Sequence, residues 1–419
     1  MPHYIQSEAA VTRIKKALVI GAGIAGPTAA MALRKTGIDA TIYEAHGPGA
    51  EHVGAGFNIA TNGLDALAAI DALDATKGLG IPATRISMYN RKARLLGTVA
   101  SGLPRPGAQD TTTFKRGELF AALAGEAASR GIMTEYHRRL VQIEQSARSV
   151  TAHFDDGTRA TGDVLIGADG VHSTTRTYVD PGAPSPRYTG LVSFGGFGRN
   201  PGLPPEPGLW KMMFGRRAFF GWFVPDAMQV WWFISVPMDK PLSRKEILAE
   251  GIGAWAPRLI DLFAGDDVPV EPIVCAQADE LIVVGAEYDL PNIRTWARGR
   301  VIIIGDAAHR ASTSSGQGAS MAMEDAVTLG RCLRDIDDPV RAFATLQHLR
   351  RPRTDKIVAL GAKTASSKAA GPVAATMRDA FMKFGFRFFY KSESSAWLLR
   401  NHIDWDERVM SVDRSWATA

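Results

Sequence analysis

The sequence predicts an α/β fold: a unit built on buried parallel strands, interleaved with an antiparallel, aromatic-rich sheet and followed by C-terminal helices. Three observations carry this expectation. Short apolar, mostly β-branched runs recur at Ala17-Leu18-Val19-Ile20, Val164-Leu165-Ile166-Gly167 and Val301-Ile302-Ile303-Ile304, and each stops at glycine, an acid or both. The first run leads directly into Gly21-Ala22-Gly23-Ile24-Ala25-Gly26 and a helical stretch. Between the second and third runs, residues 187–236 alternate bulky aromatics with turn signals, the mark of strands joined by short turns.

Composition bounds the rest. A chain of 419 residues has material for two or three domains, and 46% hydrophobic with 22% charged residues is the balance of a water-soluble globular protein. No apolar run approaches the roughly 18–20 residues that span a bilayer, and the first 16 residues lack the apolar core of a secretory signal. A cytoplasmic location is expected. Cys275 and Cys332 stand far apart in apolar or helical contexts and read as reduced core thiols. The net charge of +5, without a long basic block, favours small anions over nucleic acid. The densest cluster, Arg350-Arg351-Pro352-Arg353, reads as a solvated helix end. No metal-ligand cluster is legible.

Taken in order, residues 1–14 read as a poorly ordered leader. The strand at residues 17–20, the glycine turn, a helix from Pro27 to Thr36, and a second strand, Ala40-Thr41-Ile42-Tyr43, ending at Glu44, form a Rossmann-type dinucleotide context. Gly21 allows the tight turn, Gly23 lets backbone approach a pyrophosphate, and Gly26 lets helix and strand pack closely. Glu44 is placed to accept from a ribose diol. This motif alone does not choose FAD over NAD. A helix opens near Arg116 and runs to Ser129, with Leu119, Phe120 and Leu123 on its apolar side; Arg116 there can clamp a phosphate or be a plain surface residue. The strand at residues 164–167 ends in Ala168-Asp169-Gly170. The strand at residues 301–304 ends in Gly305-Asp306, and Gly316-Gln317-Gly318-Ala319 opens a helix whose bare N–H groups suit an electron-rich ligand edge.

In the aromatic region, alternation places Arg217, Phe219 and Phe223 on one face, with Trp231 and Phe233 sharing a face of the next strand. This face is taken as the pocket wall. The glycines at 195, 196 and 221 leave room for a bulky ligand, and Arg217 can meet an anionic oxygen or remain a solvated turn residue. Helices are expected to about Ala264, with Trp255 and Leu259 buried, and again from Pro339, including a final helix from Trp397 to Trp405.

These motifs together resemble the single-component, class A FAD-dependent aromatic monooxygenases of the para-hydroxybenzoate hydroxylase superfamily, in the branch of salicylate-type hydroxylases and tetracycline-inactivating monooxygenases. The resemblance rests on the fingerprint at residues 21–26, on Gly167-Ala168-Asp169-Gly170 through Arg176, and on Gly305-Asp306-Ala307-Ala308-His309, and covers roughly residues 15–335. It implies a discontinuous FAD-binding domain of Rossmann-like, glutathione-reductase type (1–75, 105–180 and 288–365), a substrate-binding sheet domain (76–104 and 181–287) and a C-terminal helical segment (366–419). It implies that Glu44 binds the FAD ribose and Arg116 the phosphate–ribose portion, that Asp169 serves both FAD and NAD(P)H, and that Asp306 bonds the ribityl chain. Gly316, Gly318 and Ala319 then lie beside the flavin pyrimidine ring. Thr313 stands where the family carries a proline next to the flavin.

The activity implied is hydroxylation of an electron-rich aromatic or enolic substrate through a flavin C4a-hydroperoxide, with NADH or NADPH docking transiently and O2 as co-substrate. The partner is a small aromatic or polycyclic molecule, and the protein is expected as a monomer or homodimer. No catalytic base stands out: His172 and His309 read as structural, and Tyr188 is the one tyrosine near the pocket strands. A roomy aromatic sheet without a base favours a fused, tetracycline-like enol over a small phenol, hydroxypyridine or salicylate. Competing readings are a flavin-dependent halogenase, from a near match at Phe220-Gly221-Trp222-Phe223-Val224-Pro225 with Lys77 as the required lysine, a flavin reductase, and a non-catalytic flavin-binding scaffold.

Overall fold

The structure is a computed structural model and describes residues 13–49, 56–276, 282–291, 293–368, 377, 379, 383–384 and 392–412. Residues 1–12 of the expected leader and nearly all of the aromatic stretch 381–390 lie outside the described residues; Ile14, the last residue assigned to the leader, is instead buried in the core.

The buried apolar runs do form one sheet. Its six strands lie in the order Ala297–Arg298, Val301–Ile303, Val164–Gly167, Lys16–Ile20, Asp39–Tyr43, Met133–Glu135, parallel except for the first pair. Both faces are covered, which is why these strands are apolar at successive positions. Val19, Ile42, Ile166 and Ile302 face a core shared with the helices Ala25–Lys35, Arg116–Ser129 and Gly318–Asp335. Leu18, Ile20, Leu165 and Ile303 face a three-stranded antiparallel sheet that contributes Leu140, Ile143, Val150 and Phe154.

The aromatic segment forms a seven-stranded sheet in the order Ile282–Asp289, Arg187–Arg199, Gln229–Pro237, Phe219–Phe223, Leu209–Phe214, Arg85–Asn90, Leu95–Ala100. It is not wholly antiparallel as expected: Leu209–Phe214 pairs with Arg85–Asn90 in parallel, because the earlier segment enters the sheet from the nucleotide-binding unit as a separate hairpin. One face packs Phe194, Phe220, Trp222, Trp232 and Ile234 against Ile247, Trp255, Leu259 and Phe263 of the helices that follow. The other face turns toward the nucleotide-binding unit: an added Cβ on Gly56, in the strand Gly56–Ile59, would stand 2.8 Å from the Trp231 ring.

Three local expectations change. Arg350 and Arg353 do not end a solvated helix. They lie inside the Pro339–Lys368 helix, with side chains only 4% and 12% exposed, and pair with buried acids. Cys332 is buried, but Cys275 is exposed at the end of the short Val270–Cys275 helix. The helix expected over residues 397–405 is confined to Ala396–Leu399, and the chain beyond it runs on without regular structure to residue 412.

Candidate active site

The glycine turn is shaped by close backbone approaches. Gly21 has φ +104°, and a Cβ there would lie 2.5 Å from the Ala168 carbonyl oxygen, so the first turn and the Asp-Gly loop touch. A Cβ on Gly26 would stand 1.9 Å from the Gly21 oxygen, whereas one on Gly23 would meet nothing within 4 Å. Gly23 therefore faces open space. The helix beyond it begins with no side-chain cap and no acid in its first turn, which leaves N–H groups for an anion. Glu44 lies across this opening, accepting the Ala22 N–H at 2.8 Å and the His46 N–H at 2.9 Å.

The other two motifs meet the first from below. Asp169 accepts the Ser173 hydroxyl at 2.5 Å on one oxygen, and the Thr175 N–H and hydroxyl at 2.9 Å on the other. Both oxygens are thus engaged with the turn into the Thr174–Val179 helix, and the carboxylate organises the loop. Buried Arg176 donates to the Ala307 carbonyl at 3.1 Å and the Val171 carbonyl at 2.7 Å, joining the Asp-Gly motif to the Gly-Asp motif. Asp306 pairs with Arg310, and a Cβ on Gly318 would lie 3.9 Å from the Asp306 Oδ1. The acid at the strand end and the start of the Gly318–Asp335 helix are therefore side by side, with half-buried Ala319 next in line. Gly316 adopts φ +61°, and the helix start again has no side-chain cap and no first-turn acid. Arg116 is exposed, with its guanidinium over the half-buried Phe120 ring at 4.9 Å. Desolvation at the guanidinium, with Arg310 alongside, lowers its pKa against the opposing pull of Asp306.

This arrangement fits FAD. Two bare helix starts, an open glycine backbone at Gly23, and the buried Ser314 Oγ without a hydrogen-bond partner among the described residues supply donors that such a cofactor can use.

Beneath the Gly-Asp loop lies an ionic network that the sequence concealed. Asp325 accepts from Arg350 at 2.7 Å and from the Gly305 N–H at 3.0 Å, and also bonds His309. Glu324 pairs with Arg350 at 2.5 Å and Arg353 at 3.0 Å and accepts from Asn62 at 2.7 Å. Burial alone would raise the Asp325 carboxyl; His309 and Arg350 outweigh it and hold its pKa at about 2. His309 is thereby structural.

On the aromatic side, Phe219, Phe223, Trp231 and Phe233 share one face, with Phe223 opposite Trp231 and Gly221 opposite Phe233. Trp210 joins them, 5.3 Å from Phe223 and 5.8 Å from Phe233 between centroids, and its Nε1 donates to Thr113 at 2.9 Å. Two expectations for this wall are corrected. A Cβ on Gly221 would stand 2.3 Å from the Phe233 ring, so this glycine makes room for a side chain, not a ligand. Arg217 leaves the face altogether: it lies in the turn before the strand and bonds Asp261 at 3.0 Å and the Leu262 carbonyl at 3.2 Å on the helix-covered side, 42% exposed. Lys77 likewise lies at the surface, paired with Asp74 at 2.8 Å.

Thr313 is exposed and donates its hydroxyl to Glu287, whose other oxygen accepts from Ser193. Ser193 lies 3.1 Å from Ser235 on the next strand. Glu287 is only 2% exposed, and sequence reading missed it. A signal was available: in the Gly285-Ala286-Glu287-Tyr288-Asp289 strand two acids sit at alternate positions, hence on one face, and inward acids require partners. Asp289 finds its own in Arg187, at 2.7 and 2.9 Å.

The family model described as "FAD binding domain" matches residues 15–194 and 291–358, more than half of the chain. The FAD-dependent urate hydroxylase of Klebsiella pneumoniae is 30% identical over 346 residues, covering 82% of this chain and 88% of that protein. The 6-hydroxynicotinate 3-monooxygenase of Pseudomonas fluorescens is 29% identical over 352 residues, covering 81% and 88%. Among solved structures, Klebsiella pneumoniae HpxO complexed with FAD and uric acid superposes with a TM-score of 0.75 at 27% identity, over 89% of this chain and 94% of that one. Tetracycline destructase Tet(51) shares the fold, with a TM-score of 0.64 at 19% identity, over 91% and 99%. The glycine turn, the Asp306–Gly318 junction and these relatives lead to one assignment: the chain belongs to the FAD-dependent aromatic monooxygenases and is an oxidoreductase.

Proposed function

We propose that this protein hydroxylates a compact, electron-rich aromatic or nitrogen-heteroaromatic ring bearing an ionisable oxygen, using NADH or NADPH and O2. One oxygen atom enters the ring in place of hydrogen; the other leaves as water with the two electrons of the nicotinamide. The observation that carries this reading is the Thr313–Glu287 pair, which ties the loop after Asp306 to the Ser193–Ser235–Phe219 row of the aromatic sheet. When bound, FAD supplies the redox chemistry, taking up the electrons and activating O2.

The chain's own residues then have distinct tasks. Gly23 and the uncapped start of the Ala25–Lys35 helix bind the pyrophosphate, and Glu44 the ribose. Asp306, held by Arg310, orients the ribityl chain, and the N–H groups at the start of the Gly318–Asp335 helix stabilise negative charge on the ring edge. Trp210, Phe223, Trp231 and Phe233 exclude water. Glu287 receives the substrate's hydroxyl proton through the Thr313 Oγ, whose own proton passes to the carboxylate.

The rings of the aromatic face pack on one another, which favours a compact substrate, and the names of the urate and hydroxynicotinate relatives point the same way. A fused, tetracycline-like enol is a second reading, favoured by the breadth of the aromatic face and by the shared fold of the tetracycline destructases. A ligand panel decides. Hydroxybenzoates, hydroxypyridines, hydroxypurines and tetracyclines are scanned for stimulation of NAD(P)H oxidation and for a product 16 Da heavier. Stimulation by single-ring or purine ligands is expected; stimulation by tetracyclines alone would overturn the compact-substrate reading.

A further inference from the structure

The last described turn of the Pro339–Lys368 helix carries a lysine into an unusual setting. The Lys368 Nζ stands 4.3 Å from the Phe219 centroid and 5.6 Å from that of Phe233, on the face assigned above to the pocket wall. Among the described residues its ammonium makes no hydrogen bond or ion pair. Lys368 is half-buried, so its ammonium, lying against ring faces, gives up part of its hydration, and cation–π attraction to phenylalanine replaces only part of what is lost. Its three donors are therefore available to a ligand anion.

The strand register fixes what lies near it. Phe219 is opposite Ser235, and Ser235 is opposite Ser193, so the lysine lies over one end of a row that crosses three strands. At the other end of that row the Ser193 hydroxyl bonds Glu287, which in turn holds Thr313. Burial lowers the Lys368 pKa, and Glu287, the one charged group among the described residues felt by it, pulls the other way. Glu287 has a hydroxyl donor on each oxygen, so it is held in place away from the lysine while still contributing its field.

Resting on the hydroxylase reading, we infer that Lys368 is the substrate-recognition cation of this enzyme: it pairs with a carboxylate or other fixed anion on the aromatic substrate, while the ring lies along the aromatic face and the hydroxyl to be deprotonated reaches Thr313. The site selects a ring carrying two oxygens of different kind, one anionic before binding and one that ionises in place. A neutral aromatic of the same shape leaves the ammonium unpaired and binds weakly.

The test uses the FAD-loaded full chain and two matched probes, 6-hydroxynicotinate and its neutral amide, with 4-hydroxybenzoate and 4-hydroxybenzamide as a second pair. Dissociation constants are read from the perturbation of the flavin spectrum. In the unaltered protein at least one carboxylate binds about tenfold or more tighter than its amide. Lys368→Met abolishes that preference by weakening the carboxylate while leaving amide affinity and FAD content unchanged, and Lys368→Arg restores most of it. Three outcomes overturn the inference: no carboxylate preference in the unaltered protein, a preference that survives Lys368→Met, or equal weakening of acid and amide. A fourth, failure of the unaltered protein to retain FAD, removes the hydroxylase reading and the inference with it.

Discussion

In the proposed reaction, Glu287 is the residue on which the proton chemistry turns. Its carboxylate is buried in a strand, and its two oxygens take the hydroxyls of Ser193 and Thr313. A glutamine in its place keeps shape and can keep one of those bonds, but cannot take up a proton. Glu287→Gln is therefore expected to lower kcat roughly 10²-fold on substrates whose hydroxyl is protonated at the assay pH. On substrates already ionised in solution the loss should be within about threefold. Equal losses on both, measured by steady-state oxidation of NAD(P)H, would assign Glu287 a packing role only. Thr313 is part of the same test, because its hydroxyl is the group proposed to pass the proton to Glu287.

Several residue positions were legible in the sequence and others were not, for physical reasons. Gly21 and Gly26 could be read because each answers a backbone demand that other residues cannot meet, and Gly23 because the fingerprint spacing marks it as the open point between them. Phe219, Phe223, Trp231 and Phe233 could be grouped on one face by strand alternation. Arg217 could not be placed, since it precedes the strand and a turn breaks the alternation. Lys368 sits in an alanine-rich helical stretch with no local signal of a site, and only the tertiary packing brings it over Phe219.

At the scale of elements, the Gly318–Asp335 and Pro339–Lys368 helices are locked to the Gly-Asp loop by ions, not only by apolar contact. Their charged residues have the pattern of a solvent face, which is why the sequence reading assigned Arg350 and Arg353 to a solvated end. In the structure Glu324 and Asp325 are entirely buried, and Arg350 links them. Breaking one partner leaves others uncompensated, so Asp325→Asn should cost about 3–5 kcal/mol in denaturant unfolding. The pH dependence has a definite sign. The folded Asp325 carboxyl is depressed from an ordinary 3.8 to about 2, so the unfolded chain takes up its proton first. Its stabilisation is present above about pH 4 and is lost as pH falls from there toward about 2. Unfolding midpoints measured across that window should fall more steeply for the unaltered protein than for Asp325→Asn; equal slopes would contradict the role given to this network.

The sheet architecture was legible at this scale because strands buried on both faces are continuously apolar and the aromatic strands are separated by clear turns. The parallel joining of Leu209–Phe214 to Arg85–Asn90 was not. The Arg85–Asn90 segment, Arg-Ile-Ser-Met-Tyr-Asn, is mixed in polarity, and its partner is distant in sequence.

For the whole molecule, the architecture divides labour between two sheets. The parallel sheet and its helices carry the three motifs; the aromatic sheet, braced behind by its own helices, meets this unit where Gly56 packs on Trp231. Among the described residues no helix is long and apolar enough to cross a membrane. The central claim is that this assembly places one atom of O2 on an aromatic ring at the expense of NAD(P)H. Its most direct test is turnover under 18O2 with the most stimulating ligand of the panel, followed by mass analysis of the product. The account predicts one 18O atom per product molecule and one NAD(P)H oxidised for each. A product whose new oxygen comes from water, or NAD(P)H oxidation that yields hydrogen peroxide with every ligand and no hydroxylated ring, would contradict it.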